Sequence, residues 1–188
     1  MDHSLCSCIR KYLSKVHSFT VLNKYAKFWI KKLNLSKHPE GGYFAESYRS
    51  EKIIRLSGYD GTRSICTAIY YLLTGNQFSS FHIMKSDEIW HFYSGSSMTL
   101  YTIDSKGKLK ENFLGPNISK GDMFQLIIKS GCWFAASVKE KKSYSLVGCT
   151  VSPGFDYKDW EIGNRKSLAQ LYPQHKLVIE KYTKPAQK

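Results

Sequence analysis

The sequence predicts a mainly β protein whose strands form a sandwich or a barrel. Short runs rich in aromatic and β-branched residues follow one another from residue 43 to residue 151. Turn residues such as Gly75-Asn76 and Gly115-Pro116-Asn117 separate nearly all of these runs. No helical pattern lies between them, and this argues against a parallel sheet with helical connections.

The predicted strands differ in length but share this composition. In chain order they are Tyr43 to Arg49, Ser64 to Leu73, Phe78 to Met84, Glu88 to Tyr93, Met98 to Ile103, Lys110 to Leu114, Met123 to Ile128, Cys132 to Val138 and Tyr144 to Val151.

A helix is predicted on each side of this β region. Between Val21 and Leu33 the apolar residues recur every three or four positions, which is typical of a helix packed on one side; they are Leu22, Tyr25, Ala26, Trp29 and Leu33. A second, short helix is predicted over residues 164–171, with Asn164 as its N-cap and Pro173 beyond its end.

Length and composition predict one domain. A chain of 188 residues with 42% apolar content can form a single core. We expect a basic arm over residues 1–20, one domain over 21–175 and a basic tail over 176–188. No apolar run is long enough to span a membrane. The five cysteines form no Cys-x-x-Cys pair and their number is odd, so we expect a reducing, cytoplasmic location.

The net charge of +13 is concentrated at the two ends of the chain. Residues 1–37 hold eight Lys/Arg against one Asp, and residues 165–188 hold six against one Glu. Solvated basic ends explain this distribution, and weak, salt-sensitive contact with an acidic surface is the alternative. No nucleic-acid-binding motif accompanies the charge, so we expect no specific nucleic-acid partner.

The segment from Phe81 to Gly95 has the spacing of a metal-binding motif of the cupin superfamily, with one ligand replaced. His82 and Glu88 occupy two ligand positions, whereas Met84 stands where the motif has a second histidine. At the third histidine position, in a later strand, the chain has Phe134. Two protein ligands rarely hold a catalytic metal, so we expect no tightly bound metal or other cofactor. Weak metal binding through His82 and Glu88 stays open.

Four blocks in order resemble a small cupin family long known as a domain of unknown function. They are His38 to Ser50, Phe81 to Gly95, Gly131 to Ala136 and Gly148 to Asp156. The resemblance covers about residues 36 to 175. It implies a jelly-roll β-barrel, usually dimeric, similar in fold to germins, seed-storage proteins and the dTDP-sugar epimerase RmlC.

Alternation along the strands then predicts a pocket. Together with the resemblance, it directs His82 and Met84, and likewise Glu88 on the next strand, toward the interior. We expect His82 and Glu88 to be the acid–base or anchoring groups. The expected ligand-binding residues are Tyr70, Met84, Trp90, Phe92, Gln125 and Phe134.

Two functions fit such a pocket. One is binding of a polar small molecule, sugar- or nucleotide-like, by a homodimer without a metal. The other is a metal-free epimerase or isomerase, in which His82 abstracts a proton and Glu88 orients or pairs with it. The resemblance to RmlC supports His82 as the base. RmlC uses a tyrosine as the partner acid, and here only Tyr144 is available on the matching strand, out of register. A purely structural His–Glu contact is the third possibility.

Overall fold

The computed structural model of the protein describes residues 24–185, in which thirteen strands and three α-helices are found. The strands are β1 (Ser36–Lys37), β2 (Tyr43–Arg49), β3 (Ile53–Arg55), β4 (Thr62–Ser64), β5 (Thr67–Thr74), β6 (Phe78–Met84), β7 (Asp87–Gly95), β8 (Met98–Ile103), β9 (Leu109–Leu114), β10 (Gln125–Ile128), β11 (Trp133–Val138), β12 (Tyr144–Ser152) and β13 (Trp160–Ile162). The helices are α1 (residues 24–32), α2 (Arg165–Leu171) and α3 (Lys176–Lys181).

Two antiparallel sheets form the fold. The first has six strands in the order β1-β2-β5-β12-β7-β10, and the second has five in the order β13-β6-β11-β8-β9. The chain crosses repeatedly from one sheet to the other, as in a jelly roll. The predicted mainly β, jelly-roll class is therefore confirmed.

The sheets do not close into a hydrogen-bonded barrel. Where their edge strands β9 and β10 approach each other, the only pairing within the described residues is an isolated bridge between Leu114 and Met123. A separate small sheet consists of β3 and β4.

Apolar side chains fill three layers. The largest cluster lies between the two sheets; its buried members include Tyr71, Met84, Trp90, Phe134 and Val147. Since α1 covers the outer face of the first sheet, and α2 with α3 covers the outer face of the second, many strand residues are buried on both faces.

Helix α1 confirms the predicted N-terminal helix over its described part. Ala26 is buried, and the Trp29 indole N–H donates to the Tyr144 hydroxyl at 3.1 Å. Tyr25 is 55% exposed, although the helical spacing had placed it on the packed stripe. The basic arm of residues 1–20 and Leu22 lie outside the described residues.

The C-terminal segment continues the fold past residue 175. The predicted cap of α2 is confirmed, because the Asn164 side chain accepts from the backbone N–H of Ser167 at 3.0 Å. The basic tail predicted from residue 176 onward includes α3, whose Ile179 is fully buried. Tyr182 after it is 6% exposed, and its carbonyl accepts from the Phe81 N–H at 2.8 Å. The sequence pattern missed α3 because the helix is only six residues long.

Further differences concern short strands. The predicted strand from Ser64 to Leu73 is divided, since β4 pairs with β3 and β5 pairs with β2 and β12. β1, β3 and β13 have two or three residues each, too few for alternation to be visible in a sequence. Within residues 24–185 no helix is long and apolar enough to cross a membrane.

Candidate functional site

A cavity of about 340 Å³ opens between the two sheets. Strands β2, β5, β6, β7 and β12 supply its walls, and residues 155–157 border it. The apolar side chains that line it are Phe44, Ile69, Tyr71, Met84, Val151, Phe155 and Tyr157. The buried polar residues at its inner end are His38, Glu40, His82 and Glu88, and the more exposed charged ones are Glu46, Arg49 and Asp156.

Glu40 is the centre of the buried polar network. Its Oε1 accepts from the Trp160 indole N–H at 2.7 Å, and its Oε2 accepts from the Ser79 hydroxyl at 2.8 Å. The Nε2 atom of His82 lies 3.2 Å from Oε1. Because the residue is only 6% exposed, these donors replace the water that a carboxylate otherwise binds.

A tight turn holds Glu40 at this position. The Glu40 carbonyl accepts from the Ser80 N–H at 3.1 Å, and the next carbonyl, of Gly41, accepts from the Tyr71 hydroxyl at 2.7 Å. Gly41 has φ of 128°, and a Cβ there would lie 2.1 Å from the Phe78 carbonyl oxygen. Only glycine permits this close approach of the turn to β6.

One hydrogen bond of His82 locates a proton on its ring. Its Nδ1 lies 2.8 Å from the Ser80 carbonyl oxygen, which can only accept, so Nδ1 carries a proton. Nε2 then faces Glu40 Oε1 at 3.2 Å. One ring nitrogen is thus bonded to the backbone, and the other lies against a carboxylate.

His38 lies beside this pair in neutral form. Its Nδ1 accepts from the Glu40 backbone N–H at 3.3 Å, so the proton of the ring is on Nε2. Burial lowers the pKa of His38, which agrees with that tautomer. Because Nδ1 carries no proton, its 3.7 Å contact with the Glu40 carboxylate is not an ion pair.

Glu88 is a buried acid at the opposite wall, and one of its carboxyl oxygens has no partner among the described residues. The residue is 6% exposed, and this oxygen is Oε2. Burial, and then the nearby charge of Glu40, raise the pKa of Glu88 to about 8. At neutral pH the carboxyl is therefore mostly protonated and can donate a hydrogen bond into the cavity.

An ion pair and a loop form the mouth of the cavity. Arg49 binds both carboxylate oxygens of Glu46, at 2.9 and 2.7 Å, and donates to the Phe155 carbonyl at 3.2 Å. The loop after β12 is attached to the β3–β4 hairpin, because Arg63 binds the Asp159 carboxylate through two nitrogens at 2.5 and 2.9 Å.

The structure separates the residues predicted from the sequence into two groups. His82, Met84 and Glu88 line the cavity, but the carboxylate beside the His82 ring is Glu40, whereas the sequence analysis paired His82 with Glu88. Five other predicted residues are not among those that line this cavity; they are Tyr70, Trp90, Phe92, Gln125 and Phe134.

Each of those five has another environment. Trp90 and Phe134 are in the core between the sheets, and the centroids of the Phe134 and His82 rings are 3.9 Å apart. Phe92 packs against the same core. Tyr70 packs near α1 on the outer face of the first sheet, and Gln125 is exposed and bonded to His91.

These residues do not fit a bound divalent metal. Among residues 24–185, no three His, Cys, Asp or Glu side chains are grouped as metal ligands. The one nitrogen of His82 that is not bonded to the backbone faces Glu40 instead. The packed ring of Phe134 takes the position that the motif gives to a third histidine.

Sequence reasoning missed Glu40 and His38 as site residues. Both belong to the segment His38-Pro39-Glu40-Gly41-Gly42, which was interpreted as a turn. The only available signal was a histidine and an acid next to a glycine pair. Their contact with β6 joins residues about forty positions apart, which no local pattern reveals.

Comparison with known proteins agrees with this architecture. Residues 27–163 match the family described as "Cupin superfamily (DUF985)". The chain is 29% identical over 138 residues to the uncharacterized protein YML079W of Saccharomyces cerevisiae, covering 66% of this chain and 68% of that one.

Solved structures with the same fold include two from other organisms. Protein SO0799 from Shewanella oneidensis is 38% identical, with a TM-score of 0.79 over 86% of this chain and 98% of that one. A hypothetical protein from Leishmania major is 35% identical, with a TM-score of 0.79 over 84% and 98%.

A more distant structure shows the same fold only. Oxalate decarboxylase from Bacillus subtilis is 13% identical, with a TM-score of 0.51 over 80% of this chain and 37% of that one. The strand order, the position of the cavity between the sheets and the family match over residues 27–163 lead to one conclusion. The chain belongs to the DUF985 family of the cupin superfamily.

Proposed function

We propose that the protein binds a polar small molecule, sugar- or nucleotide-like, in the cavity between its sheets, without a tightly bound metal. The observation that carries this proposal is Glu88, a buried carboxyl with an oxygen that has no partner among the described residues, in the wall of a cavity lined mainly by apolar side chains. A bound ligand would supply the missing hydrogen-bond partner.

The size and lining of the cavity support the proposal. Ligand sites are typically clefts of about 300–1,000 Å³ with apolar walls and a few polar groups that fix orientation. At about 340 Å³ this cavity is at the small end of that range, which suits a single sugar ring or a nucleoside. The aromatic side chains of Phe44 and Phe155 offer flat surfaces against which such rings pack.

A thermal-shift screen tests the proposal. Sugars, sugar phosphates, nucleosides and nucleotides would be added to the folded protein, because a ligand that binds only the native state raises its melting temperature. Ile69→Trp fills the cavity and is expected to abolish every shift. Ile65→Trp is the control, because Ile65 is 39% exposed and does not line the cavity. A shift that survives Ile69→Trp, or a screen without any shift, would contradict the proposal.

The alternative function is a metal-free epimerase or isomerase with His82 as its base. The His82–Glu40 pair favours it, since a ring oriented by a carboxylate is a common arrangement for acid–base chemistry. Nδ1 of His82 is hydrogen-bonded to the backbone and Nε2 faces Glu40, however, so the ring would have to exchange a proton through Glu40. Exchange of solvent deuterium into a bound ligand at carbon would select this function over binding alone.

We further propose a cytoplasmic homodimer. Strand β10 lies at a sheet edge, and exposed apolar side chains occur on it and near it: Tyr93, Phe124 and Ile127. Cys66, Cys132 and Cys149 are free thiols, which agrees with a reducing compartment. Light scattering that gives a mass of 21.6 kDa at micromolar concentration would contradict the dimer.

A further inference from the structure

We infer that the cavity selects an uncharged ligand, whose carbonyl or hydroxyl oxygen accepts a hydrogen bond from the protonated carboxyl of Glu88. This inference rests on the proposed function and names the class of molecule that the same site takes. It excludes phosphorylated compounds, which the wider proposal of a sugar- or nucleotide-like ligand admits.

The first observation is that, among residues 24–185, no free cation lines the inner end of the cavity. Any positive charge on the His82 ring is already opposed by the Glu40 carboxylate, 3.2 Å from Nε2. The Nδ1 of His38 accepts a hydrogen bond from the backbone, so this ring is neutral. A phosphate or carboxylate placed here would lose its hydration without gaining an opposite charge, and that transfer is strongly unfavourable.

The second observation is that the described part of the chain places no free cation at the mouth either. Arg49 is the one Lys or Arg among the residues that line the cavity, and Glu46 binds two of its three guanidinium nitrogens. The third nitrogen donates to the Phe155 carbonyl. An anion would have to displace Glu46, and the carboxylate of Asp156 at the same mouth would repel it.

The third observation concerns the surroundings of Glu88. The ionisable groups that act on its carboxyl are Glu40 from the turn before β2, Tyr71 on β5 and Cys149 on β12. Tyr71 and Cys149 are buried, and burial raises the pKa of each. Of these three groups, Glu40 is the one whose charge raises the pKa of Glu88, because it opposes a second carboxylate nearby.

Protonated Glu88 is therefore a neutral hydrogen-bond donor, and ionisation would change it into an acceptor. A ligand oxygen held by the acid would then face a carboxylate, and the hydrogen bond would be replaced by repulsion. Because the pKa of Glu88 is about 8, the donor is present at neutral pH and lost in mildly alkaline solution. The affinity for the ligand should therefore fall as the pH rises through the pKa of Glu88.

Matched pairs of compounds test the charge of the ligand. Each neutral compound is compared with its own phosphate ester in the thermal-shift assay, for example glucose with glucose 6-phosphate and adenosine with adenosine monophosphate. We expect shifts from neutral members and none from their esters. Shifts only from the esters would overturn the inference and leave the proposed function standing, whereas no shift from either member would contradict both.

A pH series tests the role of Glu88. For a neutral ligand the dissociation constant of the wild-type protein should rise about 30-fold between pH 6.5 and pH 9.5, because about one carboxyl in thirty stays protonated 1.5 units above its pKa. Glu88→Gln keeps an uncharged donor, so its dissociation constant for the same ligand should change less than about threefold over this range. Glu88→Ala should bind weakly at both pH values.

The two variants also separate folding from binding. Circular dichroism at each pH shows whether the protein stays folded, and Glu88→Gln provides the folded reference at pH 9.5. A wild-type affinity that does not change with pH, or a Glu88→Gln variant that follows the wild-type pH profile, would overturn the assignment of Glu88 as the donor.

Discussion

At the scale of single residues, Glu40 is the group on which the site depends. It receives hydrogen bonds from two side chains that belong to different strands of the second sheet, Ser79 on β6 and Trp160 on β13. His82 adds a third contact. Since the turn that carries Glu40 joins β1 to β2 in the first sheet, this carboxylate connects both sheets at the inner end of the cavity.

Glu40→Gln should therefore destabilise the protein by about 2–4 kcal/mol, because an amide N–H₂ would face donors and leave the buried partners unsatisfied. The measurement is urea unfolding followed by tryptophan fluorescence. Glu46→Gln is the matched control. The ion pair between Glu46 and Arg49 is partly exposed, so this substitution should lower the free energy of unfolding by less than about 1 kcal/mol. Equal midpoints for the two variants would show that the Glu40 network contributes little.

At the scale of elements, the β3–β4 hairpin stabilises the mouth of the cavity. Arg63 in β4 holds Asp159 through two nitrogens, and the same side chain donates to the carbonyls of Asp60 and Thr62. Asp159 ends the short 3-10 turn Tyr157–Asp159, whose first residue lines the cavity. The hairpin thus positions a wall of the site although it lies outside the main sheets.

Arg63→Lys keeps the positive charge but cannot span both oxygens of Asp159. We expect roughly tenfold faster hydrogen exchange at the backbone amides of Asp159 and Lys85, which are bonded within this region. Lys158→Met serves as the control, since Lys158 pairs with exposed Asp60 at the surface. Unchanged exchange in Arg63→Lys, or equal acceleration in the control, would refute the positioning role.

At the scale of the whole molecule, helices on both outer faces complete the sheets. Helix α1 covers the first sheet, and α2 with α3 covers the second. Helix α3 and the residue after it contribute two buried side chains, Ile179 and Tyr182, which pack with Phe81, Ile103 and Ala135. The last of the basic residues therefore follow a segment that belongs to the core.

A chain ending at residue 175 should lose about 3–6 kcal/mol of stability, since burial of each of the two large side chains contributes about 1.5–3 kcal/mol. Calorimetry and binding of a hydrophobic dye would measure the loss. The comparison is a chain ending at residue 185, which keeps every contact described above and should match the full-length protein. A 1–175 chain with unchanged melting temperature would show that α3 is dispensable.

Local patterns were sufficient for most of the architecture. Strands β2, β6 and β8 occur at their predicted bounds, and the Asn164 cap is present. Alternation along β6 and β7 also directed His82, Met84 and Glu88 correctly toward the interior. These features depend on neighbours in the chain, so the sequence contains them directly.

Tertiary structure decided which side chains meet. The partner of His82 is Glu40, 42 positions earlier in the chain, and a turn that requires Gly41 brings the two together. The raised pKa of Glu88 depends on burial and on the charge of Glu40, neither of which has a local signature. By itself, therefore, the sequence determined the strands, their inward faces and the loss of two metal ligands, since each depends on a residue and its neighbours. The fold alone decided the chemistry of the cavity, because desolvation and charge coupling act across distances that only the packed chain defines.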